Sequence, residues 1–394
     1  MAVACGRSPR SARRPVGPSL QLAFVRHDAG TARRPRPLEV PPTPRPPRMF
    51  RLDRAHTGRT GYVLPRHPRV VARLTTRARI SAQPVAHGDA GVAVGSHDGT
   101  LYAGTRDGGV RWRVATGDRI YTTPALTEDG TLYVGTDADR LLAVSARGAT
   151  RVALGTNDDA DTSPVVGVDN SVRFASGRTL YATDADLTVR WRLDVGAKIF
   201  SSPALTVDGV AVFGSQDNHV YAVNADGTVR WRFTANDDVD ATPMLDANGN
   251  VYVGSDDGNV YALTRDGNER WRRAVGGYVR AGAGLGLDGN ILVPTHGPRP
   301  RLVALDPDDG HEVWSFSVNG PPTREYGIAS APLIDGDGRI AFGSPDDALY
   351  ILDKDGTHPV RVPMPADVDS APVLLDDRVL AVGCDDGVLY ILGE

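Results

Sequence analysis

Among the Asp-x-Asp pairs of this 394-residue chain, three stand at matching positions of a repeat: Asp159 and Asp161, Asp238 and Asp240, Asp367 and Asp369. On an extended strand, residues i and i+2 project from the same face. Each pair therefore sets two carboxylates side by side, a spacing that suits a cation or a basic partner group. Arg280, Arg324 and Tyr326 fall in corresponding stretches and could orient a polar ligand. Other chemistries lack their residues. Cys5 and Cys384 are the only cysteines and lie in different regions, which excludes a disulfide framework or a cysteine metal site. The nine histidines contain no ligand-spaced pair, and neither a Gly-rich phosphate loop nor a nucleophile elbow occurs. No catalytic residue, metal ligand or cofactor is therefore expected.

The elements that must position these aspartates come from a repeat. Val239 to Arg273 reads as four short apolar runs separated by Asn-Gly or Asp-Gly pairs, the pattern of a four-stranded antiparallel sheet. Copies align on Pro84, Pro124, Pro164, Pro203, Pro243, Ala283, Pro332 and Pro372, at steps of 40 residues except one of 39 and one of 49. A period near 40 built from four strands predicts the blades of an all-β propeller, since one such sheet has two apolar faces and needs a neighbour on each. The last copy stops at Glu394 after three strands. The segment Arg69 to Leu74 has strand character and no blade of its own, so it is expected to complete the last blade, giving eight.

Within the repeat, columns separate architecture from specificity. Four residues before the alignment position stands a nearly constant apolar residue: Ile80, Ile120, Ala160, Ile199, Val239, Val279, Ile328 and Val368. The flanking positions vary: Arg79, Arg119, Asp159, Lys198, Asp238, Tyr278, Gly327 and Asp367 on one side, Ser81, Tyr121, Asp161, Phe200, Asp240, Arg280, Ala329 and Asp369 on the other. With period two, the constant column packs and the variable columns face the mouth of the central channel. All five tryptophans, Trp112, Trp191, Trp231, Trp271 and Trp314, occupy one column of the outermost strand, as wedges between blades, while Val152 and Val360 replace them in two copies whose interfaces should be less filled. Cys384 stands where other copies place Ser or Thr, and reads as a small packed thiol. Runs such as Asp246-Ala247-Asn248-Gly249 and Asp335-Gly336-Asp337-Gly338 read as hairpin turns rather than calcium loops. Blade six carries an insertion, Thr295 to Arg301, and a long exit loop, Asn319 to Gly327, which the repeat does not require and which could contact a partner.

Residues 1–61 differ from the rest. Ten Pro and 13 Arg, against Asp28, Glu39 and Asp53, give this segment +10 and leave −14 for the remainder of a formal −4. Such a composition cannot bury enough apolar surface to order itself, so a disordered basic extension over 1–61 and a propeller over 62–394 are expected, although Met49 begins a stretch, MFRLDRAHTGR, from which a folded domain could start. A basic tail could tether the domain to an anionic surface, but nucleic-acid binding is not expected. Ala2-Val3-Ala4-Cys5-Gly6 looks like the end of a lipoprotein signal without the apolar stretch that should precede Cys5. No run of 18 or more apolar residues offers a membrane-spanning helix.

Val251 to Leu263 (VYVGSDDGNVYAL), followed by Asp266-Gly267 and Trp271, resembles the repeat of the pyrroloquinoline-quinone (PQQ)-like β-propellers, and the resemblance covers residues 49–394 in eight copies. That family includes quinoprotein alcohol dehydrogenases and the cofactor-free BamB scaffolds of outer-membrane assembly. The dehydrogenases imply PQQ with calcium, adjacent cysteines above the quinone and a Trp below it. This chain has no adjacent cysteines and no Trp outside the outer-strand column. The resemblance therefore implies a monomeric, non-enzymatic, envelope-associated or periplasmic scaffold that binds proteins through the channel-mouth residues. The alternatives are a PQQ- and calcium-binding protein using those aspartates and a cytoplasmic location.

Overall fold

The computed structural model describes residues 24–26, 42, 48–88, 91–320 and 326–394. Eight sheets of four antiparallel strands, termed A to D from the channel outward, form an eight-bladed all-β propeller, with no helix among the described residues. Blade five shows the common plan, with A at Met244–Leu245, B at Val251–Gly254, C at Asn259–Leu263 and D at Glu269–Ala274. Blade eight is closed as the repeat requires. Arg69–Thr75 pairs antiparallel with Val388–Gly393, and Leu74, 1% exposed, faces Leu389 across this seam. The closure removes the open sheet edge that a linear array would leave.

Packing between blades follows the constant column. Its eight residues are at most 2% exposed. Six of them, all but Ile199 and Ile328, sit over a glycine of strand B of the preceding blade, which makes room. A Cβ on Gly254 would approach Val279 Cγ1 to 2.0 Å, and one on Gly214 would come within 2.4 Å of Val239 Cγ1. The tryptophan column packs differently. Each indole lies on a glycine in the C–D turn of the next blade: Trp112 on Gly148, Trp191 on Gly227, Trp231 on Gly267, Trp271 on Gly310 and Trp314 on Gly356. These five glycines have φ between 73° and 90°, where other residues are strained. Four of the indoles also donate Nε1–H to a carbonyl of that turn, as Trp231 does to Arg265 O at 2.9 Å. Trp271 and Trp314 are buried, whereas Trp112, Trp191 and Trp231 are only half-buried. Where Val152 replaces the indole, the turn residue opposite is Leu187 instead of glycine, and a cavity of about 600 Å³ remains. Beyond Val360 the chain offers no C–D turn, because blade eight is closed by the two ends of the domain.

Two described parts of residues 1–61 are built onto the propeller. Phe24–Arg26 adds a fifth strand to blade six, pairing Phe24 with Phe316 and Arg26 with Trp314. That edge has a sequence cause. Strand D of every other blade carries arginine, which discourages further pairing, whereas blade six reads Glu-Val-Trp-Ser-Phe-Ser. Residues 48–64 then form a strap across the channel on the side of the A–B turns. Gln83 of blade one bonds Met49 O and Arg51 N. The strap carbonyls of Arg48, Arg54, Ala55, Thr57, Gly58 and Val63 accept from Leu126, Leu205, Leu245, Leu285, Ile334 and Arg378, taking blades two, four, five, six, seven and eight in order. The Arg54 guanidinium supplies blade three by donating to Val166 O at 2.7 Å. Arg51, 2% exposed, crosses the channel to donate to Ala283 O and Pro332 O at 2.5 and 2.7 Å. The boundary expected at residue 61 therefore falls inside the strap. Strap stability comes from backbone groups of seven blades and the Gln83 side chain of blade one rather than from its own composition.

Candidate functional site: the channel mouth

The strap closes one mouth and leaves the other open. There a cavity of about 200 Å³ is lined by Ser81, Tyr121, Asp161, Phe200, Asp240, Arg280, Ala329 and Asp369, one residue from each blade and all from one variable column. Phe50 of the strap also lines it, as does a deeper layer that includes Gln83, Thr123, Ser163, Ser202 and Thr242. These five link the blades, each of the first four donating its amide N–H to the side-chain oxygen of the next at 2.9–3.2 Å. Alternation along the extended segment that leads into strand A sets the arrangement: cavity-facing positions carry the variable residues and the positions between them pack.

Asp159, Asp238 and Asp367 lie at the rim. Their carbonyls receive the amides of Gly177, Asp256 and Asp385, and the same bond links His97, Asp137, Gln216 and His296 to the corresponding residues of their own blades. It folds the first residue of each B–C turn toward the mouth and so adds a second ring of side chains: His97, Asp137, Gln216, Asp256, His296 and Asp385. These were missed because the residue after Gly-Ser in strand B reads as part of a turn. Its variability among His, Asp and Gln was the available signal.

The two rings meet in pairs. The carboxyls of Asp137 and Asp161 hydrogen-bond to each other. Burial, reinforced by that bond and by the Asp161 and Asp159 charges, pushes Asp137 up to about 8, and burial also raises Asp161. Asp240 accepts from Gln216 Nε2 at 3.3 Å, its other oxygen is buried without a partner, and burial raises it to about 6. Asp367 is raised to about 7 by burial and by Asp369, and Asp369 to about 6 by burial and by Asp385, against the pull of Arg79. Asp238 and Asp159 are raised by burial and neighbouring carboxylates. Arg280 lines the cavity but turns its guanidinium to both oxygens of Asp256, at 2.6–3.1 Å, and lies over the Tyr278 ring. Tyr326 does not line the cavity. It bonds Pro345 O, and its carbonyl holds Gly297 of the blade-six insertion at 2.7 Å. Arg324 lies outside the described residues, as does Cys5. Cys384 is fully buried, donates weakly to Ala366 O at 3.5 Å, and is pushed up to about 12 by burial, so it packs as a thiol. Asp246 and Asp335 accept amides of their own turns, Asn248 and Asn250 or Asp337 and Arg339, which is turn geometry.

A family model for outer membrane protein assembly factor BamB matches residues 54–152, 151–285 and 298–392. The chain belongs to this family. Among solved structures, BamB from Moraxella catarrhalis superposes with a TM-score of 0.69 at 18% identity, covering 83% of this chain and 100% of that one. A europium-containing methanol dehydrogenase matches at 0.74 and 12%, covering 89% and 98%. The quinohemoprotein alcohol dehydrogenase from Comamonas testosteroni matches at 0.72 and 14%, covering 88% and 80%. At these identities the likeness is one of fold. Comparison with curated protein sequences returns no significant match. The BamB-family assignment and the propeller fold are thereby established, and no described helix is long and apolar enough to cross a membrane.

The mouth is a poor match for the quinone of the dehydrogenases. A flat anion bearing several carboxylates would face Asp161, Asp240 and Asp369 in a cavity of about 200 Å³, where the one described arginine is committed to Asp256. Asp137, Asp159 and Asp161 place carboxylate oxygens within 4.8 Å of one another, and at the C–D turn of blade six Asp306, Asp309 and His311 bring two carboxylate oxygens and a ring nitrogen within the same distance. Such spacing admits a hard cation, but an acidic cluster alone does not define a metal site.

Proposed function

We propose that this BamB-family propeller is a non-enzymatic scaffold of the cell envelope whose open mouth docks a basic segment of a partner protein. The observation that carries the reading is the charge of the two rings and the rim. Nine carboxylates (Asp137, Asp159, Asp161, Asp238, Asp240, Asp256, Asp367, Asp369 and Asp385) face four cations, Arg79, Arg119, Lys198 and Arg280. Two of those cations already engage Asp385 and Asp256. Burial and neighbouring carboxylates raise the pKa values of Asp137, Asp240, Asp367 and Asp369, and an incoming ammonium or guanidinium group would relieve both effects. Tyr121 and Phe200 at the mouth supply ring faces and apolar surface for the stem of such a side chain. Family membership supports the envelope setting, and the strap, by occupying the opposite mouth, leaves this one as the approach to the channel.

Two experiments test the reading. A photo-crosslinking residue at Phe200, introduced in cells, is expected to capture a protein partner. Calorimetry with an arginine-rich peptide is expected to show binding that weakens at least tenfold in the triple variant Asp161→Asn, Asp240→Asn, Asp369→Asn. Unchanged affinity in that variant would refute the mouth as the docking site. Alcohol turnover by the purified chain with added PQQ and Ca²⁺ would overturn the scaffold role itself.

A further inference from the structure

We propose that the groove between blades two and three is a receptor for an aromatic side chain that a partner polypeptide presents next to a basic residue. The groove lies on the strap-bearing side, among the A–B and C–D turns, away from the open mouth, and the inference does not depend on the function assigned to that mouth. Five other blade interfaces fill the equivalent space with the chain's own indole, standing on a glycine of the next C–D turn. Here the pair is Val152 and Leu187. Leu187 is 4% exposed and holds a left-handed φ of 64°, so the turn keeps the shape that glycine gives the others while its side chain packs inward. The turn carbonyl is also provided for: the Tyr133 hydroxyl donates to Ala185 O at 2.6 Å, as indole Nε1 does to Ala146, Ala225 and Arg265 in the corresponding turns.

What remains unfilled is the space of a ring. The cavity of about 600 Å³ opens over Ala143, Val152 and Tyr133, whereas the equivalent groove between blades four and five, with Trp231 in place, holds about 260 Å³. The difference is on the scale of a large side chain, and the floor is the apolar surface that an indole covers elsewhere in the ring. The rim decides the neighbouring residue. Glu128, Asp129 and Asp186 face one cation, Arg151, which Asp129 engages at 3.0 Å. The net negative rim favours an aromatic residue with an adjoining positive charge.

The test uses the full chain and tryptophanamide as probe, followed by methyl and amide NMR shifts. Saturable shifts are expected at Ala143, Val152 and Leu187. The double substitution Val152→Trp/Leu187→Gly rebuilds the pair found at the other interfaces and is expected to weaken the probe at least tenfold. The exposed rim variant Glu128→Lys/Asp186→Lys, which leaves the core untouched, is expected to weaken tryptophanamide several-fold more than the neutral N-acetyl-tryptophanamide. Asp240→Asn/Asp369→Asn at the mouth should leave binding unchanged. Shifts clustered elsewhere, or a rim variant that binds both probes as the parent does, would overturn the proposal even if the rebuilt pair failed to fold.

Discussion

Asp240 keeps its proton up to about pH 6 because burial opposes its charge, with the Asp256 and Asp238 carboxylates adding to that effect. Asp369, Asp367 and Asp137 follow at about 6, 7 and 8, for the same leading reason. All four are raised above the ordinary value of 3.8, so the folded chain holds their protons more tightly than the unfolded one. Their contribution to stability is complete below about pH 4 and is lost as pH rises through 6 to 8. Asp129 acts the other way. The Thr127 hydroxyl, with the Thr131 amide and hydroxyl and Arg151, holds it well below the usual range, and that stabilisation is lost only in strong acid. Melting temperature should therefore be highest near pH 4 and fall steadily toward pH 8, read by calorimetric scans across that range. Asp240→Asn should raise stability by about 1–2 kcal/mol at pH 8, after allowance for partial exposure, and change it little at pH 4. Equal effects at both values would mean that Asp240 is charged throughout. The variable column holding Asp161, Asp240 and Asp369 was legible from period two alone. Asp137, Asp256 and Asp385 were not, because a turn-to-loop amide bond, invisible in the repeat pattern, carries them to the mouth.

The blade interface is a pair of positions rather than one. An indole needs a glycine in the next turn, both to accept its face and to supply a left-handed φ. Trp314, 2% exposed, should cost about 3–5 kcal/mol when replaced by alanine. Trp231, half-buried, should cost less, and chemical denaturation of the two variants would show the difference. Glycine substitutions separate backbone strain from crowding. Gly356 and Gly209 both have φ near 80°, but a Cβ on Gly356 would come within 2.6 Å of the Trp314 ring, whereas one on Gly209 meets only Ala225 Cβ at 3.3 Å. Each alanine variant loses roughly 1 kcal/mol to its backbone. Gly356→Ala should lose at least about 1–2 kcal/mol more through overpacking. Equal losses would show that the indole shifts freely. The tryptophan column was evident in the sequence, and Val152 pointed to a less-filled interface. That Leu187 stands opposite Val152 in place of glycine was hidden, since the glycine under each indole lies 36–42 residues away in a different copy. The fifth strand of blade six was hidden for a related reason: it depends on the absence of arginine at a distant edge, not on a signal within Phe24–Arg26 itself.

A propeller closed only at one seam would have a channel open at both ends and two chain termini side by side. In this molecule the segment that precedes the seam is threaded across the channel first, so residues 48–64 contact every blade before Arg69–Thr75 closes the ring. The arrangement makes the strap a brace for the circle of inner strands, which are only two residues long in seven blades and hold few ladder bonds of their own. Removing residues 1–64 while keeping Arg69–Thr75 frees seven inner-strand or turn amides, the Gln83 side chain and the carbonyls held by Arg51 and Arg54. Because water then enters the channel, each lost bond counts at its net value of about 1 kcal/mol, for a total on the order of 5–10 kcal/mol. Removing residues 1–47 deletes only the added strand of blade six among the described contacts and should change stability far less. Comparing the two truncations by thermal and urea denaturation tests the brace directly. If both melt like the full chain, the strap is a passenger. If the longer truncation alone melts early but unfolds in one cooperative step, the strap stabilises the ring as a unit, and the single open mouth is a consequence of how the chain begins its fold.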